Sequence, residues 1–286
     1  MRRGTVLLVF VSLLCLGMMP STASADILYY NTVDLAPALV THVYSVDTIT
    51  QISAPLMDLP GVFLLDLAGS GLPGVIYGVD IQNNVLILIN VQTKTWQPVG
   101  TQFDATVHID SLAYDRNHNI LYGSTYTDLY IVDTGTGAVI NHIGSFGFDP
   151  NSATMPGLGY DQSTNVLYGA GGTTFPYALC QINTSTGLAT LVGTGFGSYV
   201  TDLYVSPDNS VMYGVISDTT SDLAVLDKLT GTVTSSFPVI GTSILGLAAP
   251  FVDVASVPAM TSLGLVIFCL IILATAVIVV KRKKVA

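Results

Sequence analysis

Basic residues are scarce in the body of the chain, and glutamate is missing altogether. All 19 acidic residues are aspartate. Of the nine Lys and Arg residues, only Lys94, Arg116 and Lys228 lie between residues 26 and 257. A segment with such an excess of negative charge repels nucleic acid phosphates, so we exclude nucleic acid as a partner. The simplest role of this charge is solubility, and an acidic binding face is the alternative.

Cysteine and histidine are too few and too scattered to indicate a site. Cys15 and Cys269 lie in apolar terminal segments, which leaves Cys180 alone in the middle of the chain. No intrachain disulfide and no cysteine-based metal site is possible there. Cys180 lies in an apolar strand-like run, which predicts a buried structural thiol rather than a nucleophile. No histidine pair has metal-ligand spacing, and no phosphate loop, nucleophile elbow or dinucleotide motif occurs, so we expect neither a metal nor a cofactor.

A repeat of about 45 residues organises most of the chain. Its clearest mark is an apolar tetrad with tyrosine at the third position, and these tyrosines are Tyr29, Tyr77, Tyr122, Tyr168 and Tyr213. Each unit contains short strand-like runs separated by turn residues, as in 111–144. A fixed period of this length with four strands per unit is the signature of a propeller blade. We interpret the repeated tyrosines as a packing layer, with an aromatic platform for sugars as the alternative.

The two ends of the repeat region are incomplete in complementary ways. The first unit lacks its first strand, because Tyr29 stands close to the start of the region, and residues 243–250 match a first strand and then stop. The economical interpretation is that 243–250 and 26–58 form one composite blade, which closes the ring and removes a free sheet edge. The sequence therefore predicts an all-β, five-bladed β-propeller over residues 26–251.

Aspartate and asparagine recur in the turns between the first and second strands, as at 115–119 and 161–165. Such side chains bond to the backbone of a tight turn. Calcium takes the same carboxylate and carbonyl oxygens, but each turn holds a single Asp, without the clustered spacing of a calcium loop. We interpret the turns as structural, with Ca²⁺ binding as the alternative.

Both ends of the chain carry targeting patterns. Residues 1–25 have a positive start, an apolar stretch and a small-residue site ending at Ala25, which is typical of a cleavable signal peptide. Residues 263–280 are uncharged and mostly apolar, which predicts a transmembrane helix. The basic tail 281–286 follows as a membrane stop and contains Lys281, Arg282, Lys283 and Lys284. We therefore expect export across the inner membrane, anchoring by the C-terminal helix and a cytoplasmic tail.

The linker before the span, residues 252–262, begins a further pattern. Val257 and Pro258 are followed by Met260, a hydroxyl residue and Gly264. Together with the span and the basic tail, this resembles the IPTL-CTERM tail, a relative of the PEP-CTERM sorting signals of Gram-negative bacteria. The acidic-Trp pair usual before the glycine is missing, and the tail is rich in Lys rather than Arg. The resemblance implies an exosortase-type enzyme as a partner and cleavage near Pro258, which would bring the propeller to the cell surface or the extracellular space.

Three aspartates are the candidate ligand-binding residues. Asp66, Asp110 and Asp202 stand at the first-strand pattern, where we expect them to face one mouth of the channel. Five-bladed glycosidases, which resemble this fold in blade number, typically use Glu as the general acid, and calcium-dependent lactonase propellers carry a Glu ligand. An Asp pair could replace the Glu of the glycosidases, but no His or Arg stands beside these three. We expect a non-catalytic protein that binds a glycan or a protein, and the alternative is an envelope hydrolase of glycans or esters with an Asp-only site.

Overall fold

The structure of the chain is a computed structural model. It describes residues 26–104, 106–148, 154–172, 177–207, 210–217 and 221–251. The signal peptide, the span, the basic tail and the sorting pattern predicted above lie outside these residues. The chain divides into two units after Pro250, and Phe251 is the one residue of the second unit that the structure describes. Within the described residues, no helix is long and apolar enough to cross a membrane.

The described part of the chain is all β. Its strands, in chain order, are β1 (Ile27–Asp34), β2 (Val40–Asp47), β3 (Ser53–Pro60), β4 (Leu64–Gly69), β5 (Val75–Asp80), β6 (Val85–Asn90), β7 (Thr95–Pro98), β8 (Ser111–Asp115), β9 (Ile120–Ser124), β10 (Asp128–Val132), β11 (Val139–Ser145), β12 (Thr154–Asp161), β13 (Val166–Gly172), β14 (Ala178–Ile182), β15 (Ala189–Val192), β16 (Val200–Val205), β17 (Met212–Ser217), β18 (Ser221–Leu226), β19 (Val233–Pro238) and β20 (Leu247–Ala248). They form five four-stranded antiparallel sheets, arranged as the blades of a propeller. The predicted five-bladed β-propeller is confirmed.

One blade is composite, as the sequence predicts. β20 pairs antiparallel with β1, so that Tyr29 lies opposite Ala248, and the strand order of this sheet is β20-β1-β2-β3. Asn31 fixes the junction, because its side-chain oxygen accepts a hydrogen bond from the Gly246 amide at 3.1 Å and its amide nitrogen donates to the Leu64 carbonyl at 2.9 Å. The last strand of the ring is thereby paired with the first strand of the described chain, which closes the ring.

The innermost strands are β4, β8, β12, β16 and β20, and each contacts the next around the ring. Apolar layers fill the space between neighbouring blades, and the repeated tyrosines belong to these layers. Tyr77, Tyr122, Tyr168 and Tyr213 are each 5% exposed. At that burial these four cannot form a surface platform, and Tyr29, which is half-buried, packs against one of the apolar layers, so the packing interpretation is confirmed.

The turns that follow the third strand of each blade share one hydrogen-bond pattern. An Asp or Asn oxygen accepts hydrogen bonds from the two backbone amides that lie two and three residues ahead, and the residues that do so are Asp47, Asn90, Asp133, Asn183 and Asp227. These side chains hold the tight turn. In the described ranges, no group of three or more His, Cys, Asp or Glu residues could hold a metal ion.

The two mouths of the channel differ in the segments that surround them. One mouth, here called the loop face, carries the segments that precede the innermost strands and the loops between the second and third strands. The opposite mouth, the turn face, carries the turns between the first and second strands and between the third and fourth. Lys94, Arg116 and Lys228 all lie in turns of the turn face. The loop face therefore carries no Lys or Arg of the propeller region.

Candidate ligand-binding site

A cavity of about 350 Å³ opens at the loop face. Each blade contributes one residue of its innermost segment to the floor, and these floor residues are Leu65, Asp110, Pro156, Thr201 and Leu245. The wall consists of residues from the surrounding loops and strand ends, namely Tyr126, Thr154, Tyr177, Tyr199, Ser217, Ser221 and Ser243. Because all five blades reach the floor, the cavity lies on the axis of the propeller.

Three tyrosines give the wall its aromatic character. The ring centroids of Tyr177 and Tyr199 are 5.3 Å apart with an angle of 38° between the ring planes. Thr154 Oγ1 donates a hydrogen bond to Tyr177 Oη at 2.7 Å. Burial raises the pKa of Tyr126, and the negative charge of Asp110 adds to the effect. The Tyr126 hydroxyl is therefore protonated at neutral pH and can donate a hydrogen bond to a ligand.

Asp110 is the charged residue among the described residues that line the cavity. Its own amide donates to the Ser124 carbonyl at 2.7 Å, which holds the residue at the end of the neighbouring strand. Burial raises the pKa of its carboxyl group to about 6, while nearby His108 and a hydrogen bond from the Tyr126 amide lower it. The carboxyl group is thus mostly ionised at neutral pH although it is partly withdrawn from water, and it is a strong acceptor for a ligand.

Asp66 and Asp202 lie one layer beneath the floor, where they are 1% and 0% exposed. Their side chains hydrogen-bond to each other. Asp66 Oδ2 also accepts hydrogen bonds from Ser111 Oγ and the Leu112 amide, each at 2.6 Å. Asp202 Oδ2 accepts one from the Leu247 amide, also at 2.6 Å. Each carboxyl group therefore ties its own innermost strand to that of the next blade, and the pair joins opposite sides of the ring.

The pair holds a shared proton. Burial raises the pKa of both carboxyl groups, and the Asp66 charge raises the pKa of Asp202 further, whereas the hydrogen bond from Asp202 lowers that of Asp66. Two carboxylates in contact and out of water cannot both be ionised. Because its pKa is raised well above the usual value, Asp202 is the protonated partner at neutral pH and donates a hydrogen bond to the Asp66 carboxyl group, whose own pKa is raised to about 7.

Small residues at the same level of the ring make room for this pair. Ser111, Gly157 and Gly246 occupy the positions that Asp66 and Asp202 hold in their own blades. A Cβ atom on Gly246 would lie 2.6 Å from the Leu67 nitrogen and 2.8 Å from Asp66 Cα. The close approach of the innermost strands at the carboxyl pair therefore requires glycine here.

The structure separates the three aspartates that the sequence places at one mouth. It brings Asp66 and Asp202 together beneath the floor, and it sets Asp110 in the cavity. The reason is register, because Asp110 precedes Ser111, the counterpart of Asp66, and successive side chains of a strand point in opposite directions. Sequence reasoning missed the three wall tyrosines, which belong to loops outside the repeated tetrad. Their one sequence signal is their place near strand ends of the loop face.

Cys180 takes no part in the cavity. It is 0% exposed, and burial raises the pKa of its thiol to about 12. A thiol with that pKa is not a nucleophile at neutral pH. The prediction of a buried structural thiol is confirmed.

Comparisons with known proteins show the fold alone. No protein-family model matches the chain, and no curated protein matches it. Among solved structures, the chain is similar to one from a nidogen/laminin complex, with a TM-score of 0.53 and 11% identity over 79% of this chain and 98% of that chain. It is also similar to TolB from Acinetobacter baumannii, with a TM-score of 0.53 and 13% identity over 86% of this chain and 71% of that chain. These distant similarities agree with the propeller architecture.

Proposed function

We propose that this chain is a non-catalytic binding protein of the bacterial envelope or surface, whose loop-face cavity takes a glycan. The observation that supports this is the combination of three tyrosine rings, several hydroxyl groups and one carboxylate around a single cavity on the propeller axis. Sugars offer C–H faces that pack on aromatic rings and hydroxyl groups that bond to Ser, Thr and Asp. A cavity of about 350 Å³ is in the size range of small-ligand sites.

The carboxyl groups favour binding over hydrolysis. A glycosidase brings two accessible carboxyl groups to about 5–10 Å from each other, on either side of the scissile bond. Asp66 and Asp202 are in contact with each other and closed off from solvent, so a substrate does not reach them. Among the described residues that line the cavity, Asp110 is the single carboxylate. These three aspartates do not supply the acid and base that the hydrolase alternative needs.

The proposed location rests on the sequence patterns at the two ends of the chain. A cleavable signal peptide over 1–25 would export the propeller, and the span at 263–280 with its basic tail would anchor it. The sorting pattern around Pro258 would then recruit an exosortase-type enzyme and pass the propeller to the cell surface or the extracellular space. A cavity that faces away from the cytoplasm would meet envelope or matrix polysaccharides.

A protein partner is the competing occupant. One structural neighbour belongs to a nidogen/laminin complex, so a protein of this fold was solved together with a partner. A folded protein is too large for the cavity and would contact the broad rim of the loop face instead. Removing a side chain that only lines the cavity would then have little effect on binding.

The proposal is tested by screening the purified chain against envelope and matrix glycans with two matched variants. Tyr126→Ala removes a wall ring that is 49% exposed, so the fold should tolerate the change. Tyr130→Ala removes a ring that stacks on His142 outside the cavity. We expect Tyr126→Ala to weaken binding of the selected glycan about tenfold, the size of one stacking contact, and Tyr130→Ala to leave it unchanged. Equal affinity of the two variants, or no glycan bound by the wild type, would refute the proposal.

A further inference from the structure

The loop-face cavity has an unbalanced charge that narrows the class of its ligand. Among the lining residues that the structure describes, Asp110 is the only charged one. The sequence offers no Lys or Arg to this mouth, because Lys94, Arg116 and Lys228 all lie at the turn face. A ligand with carboxylate or phosphate groups would find no Lys or Arg to pair with and would be repelled by Asp110.

The surroundings of the cavity strengthen this selection. Of the loop-face residues that the structure describes, six aspartates are at least partly exposed, and they are Asp34, Asp58, Asp104, Asp110, Asp128 and Asp222. Their fields add over the mouth of a cleft, where low-dielectric walls concentrate a potential of one sign. The loop face therefore has a negative electrostatic potential around the mouth of the cavity that contains Asp110.

The wall is also suited to a cation. Tyrosine rings attract a positive charge at their faces within about 6 Å of the ring centre, and several rings together form the cages that bind ammonium groups. Asp110 and Tyr126 are close enough for the carboxylate charge to act on the phenol, and Tyr126 in turn acts on Tyr199. Tyr177 packs against Tyr199. The carboxylate and the three rings thus surround one volume.

From this arrangement we infer that the glycan carries a free amine, held as an ammonium ion between Asp110 and the wall tyrosines. The inference rests on the proposed function and narrows it to amino sugars that are not acetylated. The Asp110 carboxylate accepts N–H donors of the ammonium group in a charge-assisted pair. The tyrosine rings cover the remaining sides of the ammonium group, and the hydroxyl groups of Ser217, Ser221 and Ser243 hydrogen-bond to the sugar hydroxyls.

Calorimetric titration of the full chain with chitotriose that bears free amines, with its tri-N-acetyl form and with choline tests the inference. Asp110→Asn removes the charge at constant shape. Asp47→Asn is the matched control, since it makes the same charge change in a turn of the opposite face, where Asn90 and Asn183 fill the equivalent place in other blades. We expect free-amine chitotriose to bind about tenfold more tightly than the acetylated form. Asp110→Asn should abolish that difference and Asp47→Asn should preserve it.

The three probes separate the possible failures. Equal binding of both trisaccharides that Asp110→Asn does not change would overturn the inference and leave the glycan proposal standing. Choline that binds as tightly as the free-amine sugar would keep the cation site and reject the sugar. Free-amine sugar bound equally by both variants would show a general attraction to an acidic protein and overturn the inference. No binding of the free-amine sugar would overturn it as well.

Discussion

The shared proton between Asp66 and Asp202 makes the stability of the propeller depend on pH in an unusual direction. Both carboxyl groups have a pKa that is raised in the folded chain. A raised pKa contributes stability that is fully present below the unfolded value and is lost as pH rises through the folded value. Most paired aspartates act in the opposite sense, so the propeller should lose stability as pH rises from 5 to 7.

The magnitude follows from counting protons. Above about pH 5 both aspartates of the unfolded chain are ionised, while folded Asp202 keeps its proton, so Asp202 alone lowers the free energy of unfolding by about 1.4 kcal/mol per pH unit. Between pH 5 and pH 7 the loss is about 3 kcal/mol. Asp66 and Asp110, with pKa values raised to about 7 and about 6, act in the same direction, and so does His42, whose pKa is raised by the hydrogen bonds that its ring donates to Asp58 and Asp34. A variant is therefore needed to isolate the pair.

Asp202→Asn is that variant, because an amide donates a hydrogen bond to Asp66 without a titratable proton. The Asp202 carboxyl group accepts hydrogen bonds from the backbone N–H groups of Leu203 and Leu247, one on each oxygen. The Asn side chain has a single oxygen, so one of these two N–H groups loses its acceptor. We expect the variant to be about 1–3 kcal/mol less stable at pH 5. The variant has no proton to lose at this position. The difference in the free energy of unfolding between the variant and the wild type should therefore shrink by about 3 kcal/mol between pH 5 and pH 7.

Urea unfolding of both proteins at pH 5, 6 and 7 measures this difference, with Asp161→Asn as the control. Burial alone would raise the pKa of Asp161, but hydrogen bonds from Lys228 and Ser163 lower it to about 2. Its contribution is present above the unfolded pKa and lost only as pH falls through about 2. Asp161→Asn should therefore lower stability equally at all three values. Parallel stability curves for wild type and Asp202→Asn would refute the shared proton.

The remaining predictions concern ring closure and the end of the chain. Gly246→Ala should cost about 1–3 kcal/mol, because its Cβ would meet the backbone of Asp66 and Leu67, whereas Gly135→Ala, at a turn with ordinary contacts, should cost under about 0.5 kcal/mol in the same thermal unfolding assay. Deletion of 243–251 should lower the melting temperature of the whole propeller, and an unchanged melting temperature would reject the closure. If the sorting pattern acts, intact mass of the protein from extracellular fractions should show loss of the span, and changing Pro258 should prevent it. A single membrane-bound species that ends at Ala286 in both cases would leave a plain anchor.

The architecture could be predicted from the sequence because the propeller is built by repetition. The tetrads around Tyr77, Tyr122, Tyr168 and Tyr213 fix the period, and the complementary gaps at the two ends identify the composite blade. Each repeat contacts only its neighbours, so the same local sequence pattern recurs in every blade. The turn residues add support, since Asp115 and Asp161 accept backbone hydrogen bonds in the turns between first and second strands, where the sequence places them.

The site was harder to predict, because it depends on register and on loops. A shift of one position separates Asp110 from the counterparts of Asp66, and the sequence alone does not show which side of the strand faces the cavity. Contact between Asp66 and Asp202 joins strands on different blades, far apart in the chain. The wall tyrosines have no repeated spacing, since loops are free to differ between blades.

The most direct test of the central claim is to find where a glycan binds. Fluorine NMR of the chain labelled with 3-fluorotyrosine reports each ring separately once the signals are assigned by single Tyr→Phe variants. Titration with the best glycan of the screen should shift the signals of Tyr126, Tyr177 and Tyr199 and leave those of the buried repeat tyrosines, such as Tyr77 and Tyr213, in place. Shifts confined to tyrosines outside the cavity, with Tyr126, Tyr177 and Tyr199 unmoved at saturation, would contradict the assignment of the loop-face cavity as the binding site.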